Sequence, residues 1–150
     1  AVFGEYLAGG LDASRMRVLA ARVVAAHSVE HGADFMDTYR LLANDYDFTP
    51  GTAFDIAERV HQSGGFTRDM IYLRGLLRLI EYVRAGGDIL PLYVGKIAAK
   101  HVETIEELSA RGFLRPPPLR PRLFDQPETA ARIDAVRRGL SITEMISDDA

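Results

Sequence analysis

The chain has 150 residues, a formal net charge of −3 and a pI of about 5.8. This acidic balance argues against nucleic-acid binding, which needs a strongly basic face, and the absence of cysteine excludes disulfides, thiolate metal sites and cysteine nucleophiles. No apolar run approaches the roughly 20 residues that a membrane span requires, so we expect neither nucleic acid nor membrane as a partner.

The first half of the chain shows helical periodicity interrupted by glycines. Residues 1–8 have the pattern of a helix already under way, because no Met and no capping Ser, Thr, Asp or Asn precedes them. We interpret this as a chain that begins within a helix of a larger protein. Further helices are predicted from Asp12 or Ser14 to His31, over 34–44, and from Thr49-Pro50 to Gly64-Gly65.

The second half continues the same pattern. The strongest predicted helix is capped by Thr67 and runs to Ala85; it is apolar on most sides, which is typical of a buried central helix. Helices are also predicted after Asp88, over 102–111 and 127–138, and as a short turn at 141–144 with capping-box spacing. The sequence therefore predicts an all-α fold, a compact multi-helix bundle over 1–150, with one proline-rich extended segment near 115–121.

The segment His27-Ser28-Val29-Glu30-His31 matches the H-x-x-E-H pattern of inverted zinc peptidases. That chemistry needs two imidazoles one helical turn apart with a carboxylate beside them. His27, however, lies on the apolar stripe of its helix, which favours a packed core histidine, and a third ligand is not selected by the sequence. The candidates for it are Glu103, Glu106 and Glu107. We expect His27 and His31 to be a decoy; a self-contained zinc peptidase that uses them with Glu30 is the alternative.

Two other motifs have structural interpretations. Tyr72 and Arg74 are about 200° apart around a helix and cannot face one site, while Gly75 in the same helix predicts close approach of another backbone. The run from Arg115 to Pro121 fits a ligand for aromatic-lined grooves, although a stiff surface connector needs no more than the same prolines. The chain could therefore be a helical interaction module without enzymatic activity.

Three stretches together resemble one family: Glu5 to Leu11, Gly65 to Gly75, and Pro91 to Ile97. They are similar to the C-terminal part of the DUF1704 proteins, whose bacterial members are often labelled flavohemoglobin expression-modulating QEGLA motif proteins. The microtubule-associated tyrosine carboxypeptidases of animals belong to the same family. The resemblance covers essentially the whole chain and is weaker after Pro118.

The resemblance implies a zinc metallopeptidase-like hydrolase that acts near the C-terminus of a peptide or protein. In the family the H-E-x-x-x-H motif lies upstream, the Glu of Q-E-G-L-A is a further metal ligand, and the last Ala of that motif aligns with Ala1. It follows from the resemblance that zinc belongs to the intact protein, and that this chain has no catalytic residue, metal ligand or cofactor of its own. We expect it to be a C-terminal helical scaffold that is not catalytic by itself.

The resemblance also suggests supporting residues and partners. Glu5 and Tyr6 would lie on the same helix as the upstream glutamate, where Glu5 could support the metal ligands from behind. Tyr72, Arg74 and Lys96 are candidates for the wall of the substrate cleft, although the family pattern favours Tyr72 as architecture. The missing N-terminal part of the protein is the expected partner, a homo-oligomer stays open, and the cytoplasm is the expected location.

Overall fold

The computed structural model describes residues 1–62, 70–95, 97–115 and 119–146. All regular structure in these ranges is helical, which confirms the predicted all-α class. The α-helices are α1 (Val2–Leu7), α2 (Ala13–Glu30), α3 (Phe35–Arg40), α4 (Pro50–Gln62), α5 (Met70–Arg84), α6 (Val102–Ala110) and α7 (Pro127–Arg137). Shorter turns are the π-helical Leu41–Asp45 and the 3-10 segments Leu90–Val94, Ala99–His101, Arg122–Asp125 and Thr143–Met145.

The chain forms two compact units, which are described separately. Unit one comprises residues 1–11 and 75–147, and unit two comprises residues 12–74 and 148–150. The prediction of a single helical region over 1–150 stays a prediction.

The core of unit two lies where α2 and α3 pack on α4. Its buried side chains are Ala21, Ala25, Ala26, Leu42, Ala53, Ile56 and Val60. The many alanines leave little side-chain bulk between α2 and α4, so the two backbones can approach closely. The helical period of α2 predicts an apolar stripe of Met16, Leu19, Ala20, Val23 and Ala26. The prediction is wrong at Ala20, which is exposed, while Ala21 and Ala25 outside that stripe are buried.

Helix starts in unit two follow the predicted caps. The side chain of Asp12, not Ser14, accepts a hydrogen bond from the backbone N–H of Arg15 at 2.6 Å. Asp34 and Asp37 form a capping box at the start of α3. Each cap satisfies backbone donors that the first helical turn leaves without a partner.

In unit one, α1 packs on α7, and α6 packs on two of the 3-10 turns. The predicted capping box at the end of the chain is present, since the Glu144 carboxylate accepts from the backbone N–H of Ser141 at 2.7 Å. Hydrogen bonds from the Ser141 hydroxyl and N–H hold the pKa of Glu144 below its ordinary value. This turn therefore forms locally, as its sequence spacing predicts.

Three predicted elements differ in detail or lie outside the described residues. The segment after Asp88 forms only the 3-10 turn Leu90–Val94, and the extended backbone of Gly95, with φ 176° and ψ −170°, ends it. The helix α5 buries Leu76, Ile80 and Val83 but leaves Ile71 58% and Leu77 49% exposed, so it is not buried on most sides. Some predicted features lie outside the described ranges: Gly64-Gly65, Thr67, Lys96 and residues 116–118 of the predicted extended segment. In the described part of that segment, Pro121 has φ −58° and ψ 130°, which is polyproline-like.

Candidate functional site

The C-terminal end of α1 is held by two side chains of α7. The guanidinium of Arg132 donates to the carbonyl oxygen of Leu7 at 2.8 Å, and the hydroxyl of Thr129 donates to the same oxygen at 3.4 Å. In return, the hydroxyl of Tyr6 donates to the backbone carbonyl of Arg132 at 3.3 Å. We call these four residues, Tyr6, Leu7, Thr129 and Arg132, the α1–α7 clasp.

The clasp supplies hydrogen-bond donors to the C-terminal end of α1. The last carbonyls of α1 have no partner within the helix, and a cation is favoured there by the helix dipole. Thr129 and Leu7 are almost completely buried, so an unpaired carbonyl at this point would be costly. The clasp therefore fixes the end of α1 against α7.

Gly9 is required by the same arrangement. Its φ of +78° places it in the left-handed region, and a Cβ at this position would lie 2.8 Å from a guanidinium nitrogen of Arg132. The glycine pair after α1 is thus both a helix end and the space into which Arg132 reaches.

The predicted supporting residues of α1 have different environments. Burial raises the pKa of the Tyr6 hydroxyl, and the nearby charge of Arg132 opposes that shift only in part. The hydroxyl therefore stays protonated at neutral pH and serves as a hydrogen-bond donor in the clasp. Glu5 is half-buried on the same helix, and its role in supporting a metal ligand stays a prediction.

The sequence indicated Tyr6 only as a candidate for a metal-site support or a substrate cleft, and it did not indicate Thr129 or Arg132. Both donate to the backbone carbonyl of Leu7, which lies 122 positions before Thr129 and 125 positions before Arg132 in the sequence. The only related sequence signal is the Gly9-Gly10 pair, which marks a helix end but does not identify the side chain that reaches it.

The other candidates lie in unit two or at its border. Tyr72 is half-buried and Arg74 is exposed on α5, and their role at a substrate cleft stays a prediction. The close backbone approach predicted at Gly75 is wrong, since a Cβ there would meet no atom of the described chain within 4 Å.

The two histidines of the H-x-x-E-H motif are exposed, so the interpretation of His27 as a packed core residue is wrong. His27 lies on the same side of α2 as Ala20, and that side is exposed, whereas Leu19 and Ala26 are buried. The imidazole rings of His27 and His31 stack with their centroids 4.1 Å apart. Within the described ranges, no group of three or more His, Cys, Asp or Glu side chains could hold a metal ion. The third-ligand candidates Glu103, Glu106 and Glu107 belong to unit one.

A hydroxyl–imidazole cluster in unit two resembles a nucleophile and its base. The hydroxyl of Thr38 lies 3.1 Å from Nε2 of His61 and 3.2 Å from the hydroxyl of Ser28. Its one proton, however, is donated to the carbonyl oxygen of Asp34 at 2.9 Å, so the other two groups must donate to it. Thr38 is also fully buried. The cluster is therefore a satisfied structural network that joins α2, α3 and α4.

Comparisons with known proteins bear on the whole chain. A family model described as microtubule-associated tyrosine carboxypeptidase matches residues 1–140. No curated protein and no solved structure matches the chain. Among the described helices, none is both long and apolar enough to cross a membrane.

Proposed function

The chain belongs to the microtubule-associated tyrosine carboxypeptidase family, and on that premise we propose that it is the helical scaffold beside the zinc site of a carboxypeptidase-like metallopeptidase. The observation that carries the proposal is the α1–α7 clasp, because it fixes the helix that resembles the continuation of Q-E-G-L-A. A rigid support behind a ligand-bearing helix is what a metal site needs to hold its geometry.

The chain is not catalytic by itself in this proposal. Within the described residues, no group of three or more His, Cys, Asp or Glu side chains could hold a metal ion, and neither Q-E-G-L nor H-E-x-x-x-H occurs in the 150 residues. We therefore assign no reaction step to this chain. Its proposed contribution is to hold α1 in place, so that the zinc site of the whole protein can act on the C-terminus of a peptide or protein.

The reading frame that encodes Ala1 gives the first test. We expect the codons immediately upstream to encode Q-E-G-L, and codons further upstream to encode H-E-x-x-x-H. If either motif is missing, the proposed function is wrong.

The second test compares two proteins made from that frame: the whole encoded protein and the 150-residue chain. Both are incubated with peptides, and release of the C-terminal residue is followed by mass spectrometry, with zinc content measured in parallel. We expect the whole protein to contain zinc and to remove C-terminal residues, and the 150-residue chain to be inactive. Hydrolysis by the 150-residue chain would contradict the proposal.

One observation favours a second candidate function, a helical interaction module. Phe113 is 73% exposed and lies just before the proline-rich segment in the sequence, and Leu119, within that segment, is 82% exposed. Exposed large apolar side chains next to prolines are typical of a binding segment. Substituting both by Ser should leave carboxypeptidase activity of the whole protein unchanged and abolish partner binding, if this segment binds one.

A further inference from the structure

We propose that His27 and His31 form a surface site for a divalent transition metal at the end of α2. The proposal does not depend on the function proposed above, because it rests only on residues of unit two. It also differs from the zinc-peptidase interpretation of the motif, since it assigns no catalysis to Glu30.

The spacing places both imidazoles on one side of the helix. Residues at positions i and i+4 are neighbours on an α-helix surface, and both histidines are exposed, so a metal ion can reach them from solvent. Their ring centroids are 4.1 Å apart with an angle of 28° between the ring planes. The two side chains are thus close together, but the in-plane lone pairs of stacked rings do not converge on one point. Rotation of the exposed His27 ring about its side-chain bonds is therefore part of metal binding.

One hydrogen bond prepares His31 as a ligand. Its Nδ1 lies 2.8 Å from the backbone carbonyl oxygen of His27, which can only accept, so Nδ1 carries the proton. In the neutral ring Nε2 then has a free lone pair. Histidines that bind metals usually donate their other ring N–H to a carbonyl or carboxylate in this way.

The donor set selects the class of metal. Two imidazoles without thiolate suit Zn²⁺, Ni²⁺ or Cu²⁺ rather than Mg²⁺ or Ca²⁺, which prefer oxygen ligands. The described part of the chain offers no third protein ligand, so water completes the coordination. We therefore expect binding that is saturable but weaker than that of a closed structural zinc site.

The test is calorimetric titration of the untagged 150-residue chain with zinc chloride. We expect one saturable site per chain, and a loss of affinity of about tenfold or more in His27→Gln and in His31→Gln, since losing even an outer partner of a ligand costs about 10–100-fold. His101→Gln is the matched control, because His101 is an exposed histidine in unit one, and its affinity should equal that of the wild type.

Two further measurements decide the outcome. Circular dichroism should show unchanged helicity in all variants, because the substituted side chains are exposed. In NMR spectra of the wild type, zinc should shift the imidazole resonances of two of the four histidines. Absence of saturable binding, or retention of full affinity in the His27→Gln/His31→Gln double variant, would overturn the proposal.

Discussion

The guanidinium of Arg132 and the carbonyl oxygen of Leu7 make the central bond of the α1–α7 clasp. Arg132→Ala removes the charged donor and leaves a buried carbonyl with only the longer bond from Thr129. We expect the free energy of unfolding to fall by about 1–3 kcal/mol, the range for hydrogen bonds to charged groups and for unsatisfied buried acceptors. Urea denaturation measures it. Arg137→Ala is the control on the same helix: Arg137 is exposed and pairs with the exposed Asp134, so its loss should cost about 0–1 kcal/mol.

The two glycines Gly9 and Gly75 should respond in opposite directions to alanine. Gly9→Ala places a Cβ at positive φ and 2.8 Å from Arg132, so it should destabilise the protein by about 1–2 kcal/mol. Gly75→Ala meets open space inside α5 and should stabilise it by about 1 kcal/mol, the helix propensity difference. Thermal melts of both variants check the signs. A stabilising Gly9→Ala would show that the clasp does not occupy that space.

Single residues were predictable from the sequence where their partners are close in the chain. Asp12 and Asp34 bond to backbone groups three positions ahead, and such local spacing is visible in the sequence. Arg132 bonds to a carbonyl that is 125 positions away, and nothing in the local pattern indicates that distance. Side chains that bond to backbone groups distant in the sequence could therefore not be predicted from local patterns.

At the scale of helices, Thr38 joins three elements of unit two through Ser28 in α2 and His61 in α4. Thr38→Val keeps the shape but removes all three side-chain hydrogen bonds, so the Ser28 hydroxyl and the His61 Nε2 lose this partner. The Asp34 carbonyl keeps its hydrogen bond from the backbone N–H of Thr38 at 3.0 Å. We expect a loss of about 1–3 kcal/mol in the free energy of unfolding. Thr38→Ser keeps the hydroxyl and should cost clearly less in the same denaturation experiment. Equal losses in both variants would mean that packing of the methyl group, not the hydrogen bonds, holds the helices.

The helices and their ends could be predicted from the hydrophobic periodicity and from the positions of glycine, proline and capping residues. The buried face of each helix could not. An alanine-rich helix such as α2 has almost equal hydrophobicity on several faces, so the sequence cannot select Ala21 and Ala25 over Ala20. The sequence therefore placed His27 in the core, whereas the structure places it on the surface. The interpretation of the motif as a packed core histidine depended on that placement. In α5 the broad apolar stripe caused the opposite error, since only the face with Leu76, Ile80 and Val83 is buried.

At the scale of the whole molecule, the all-α class was predictable because no stretch alternates with the period of a strand, and the described residues bear this out. The candidate site was predictable only in part. The resemblance predicts that α1 lies next to a metal site, and this stays a prediction. The residues that hold α1 come from α7, near the other end of the chain. Such a site requires the fold to bring distant segments together, and no local pattern records that.

The last prediction concerns the whole encoded protein and rests on the proposed function. If the clasp positions α1 for catalysis, Arg132→Ala should lower kcat for C-terminal residue release at a temperature where the variant is fully folded. Thr38→Val is the matched control, because it should lose a similar free energy of unfolding but lies in unit two, apart from α1 in the chain. We expect Thr38→Val to leave kcat unchanged and Arg132→Ala to lower kcat several-fold, because small displacements of groups that position the substrate or catalyst slow the reaction. Arg132→Lys, which keeps a cation but not the planar fork, should recover part of kcat. An equal kcat in both folded variants would show that the clasp acts on stability alone, and would leave the upstream zinc motifs as the independent test of the function.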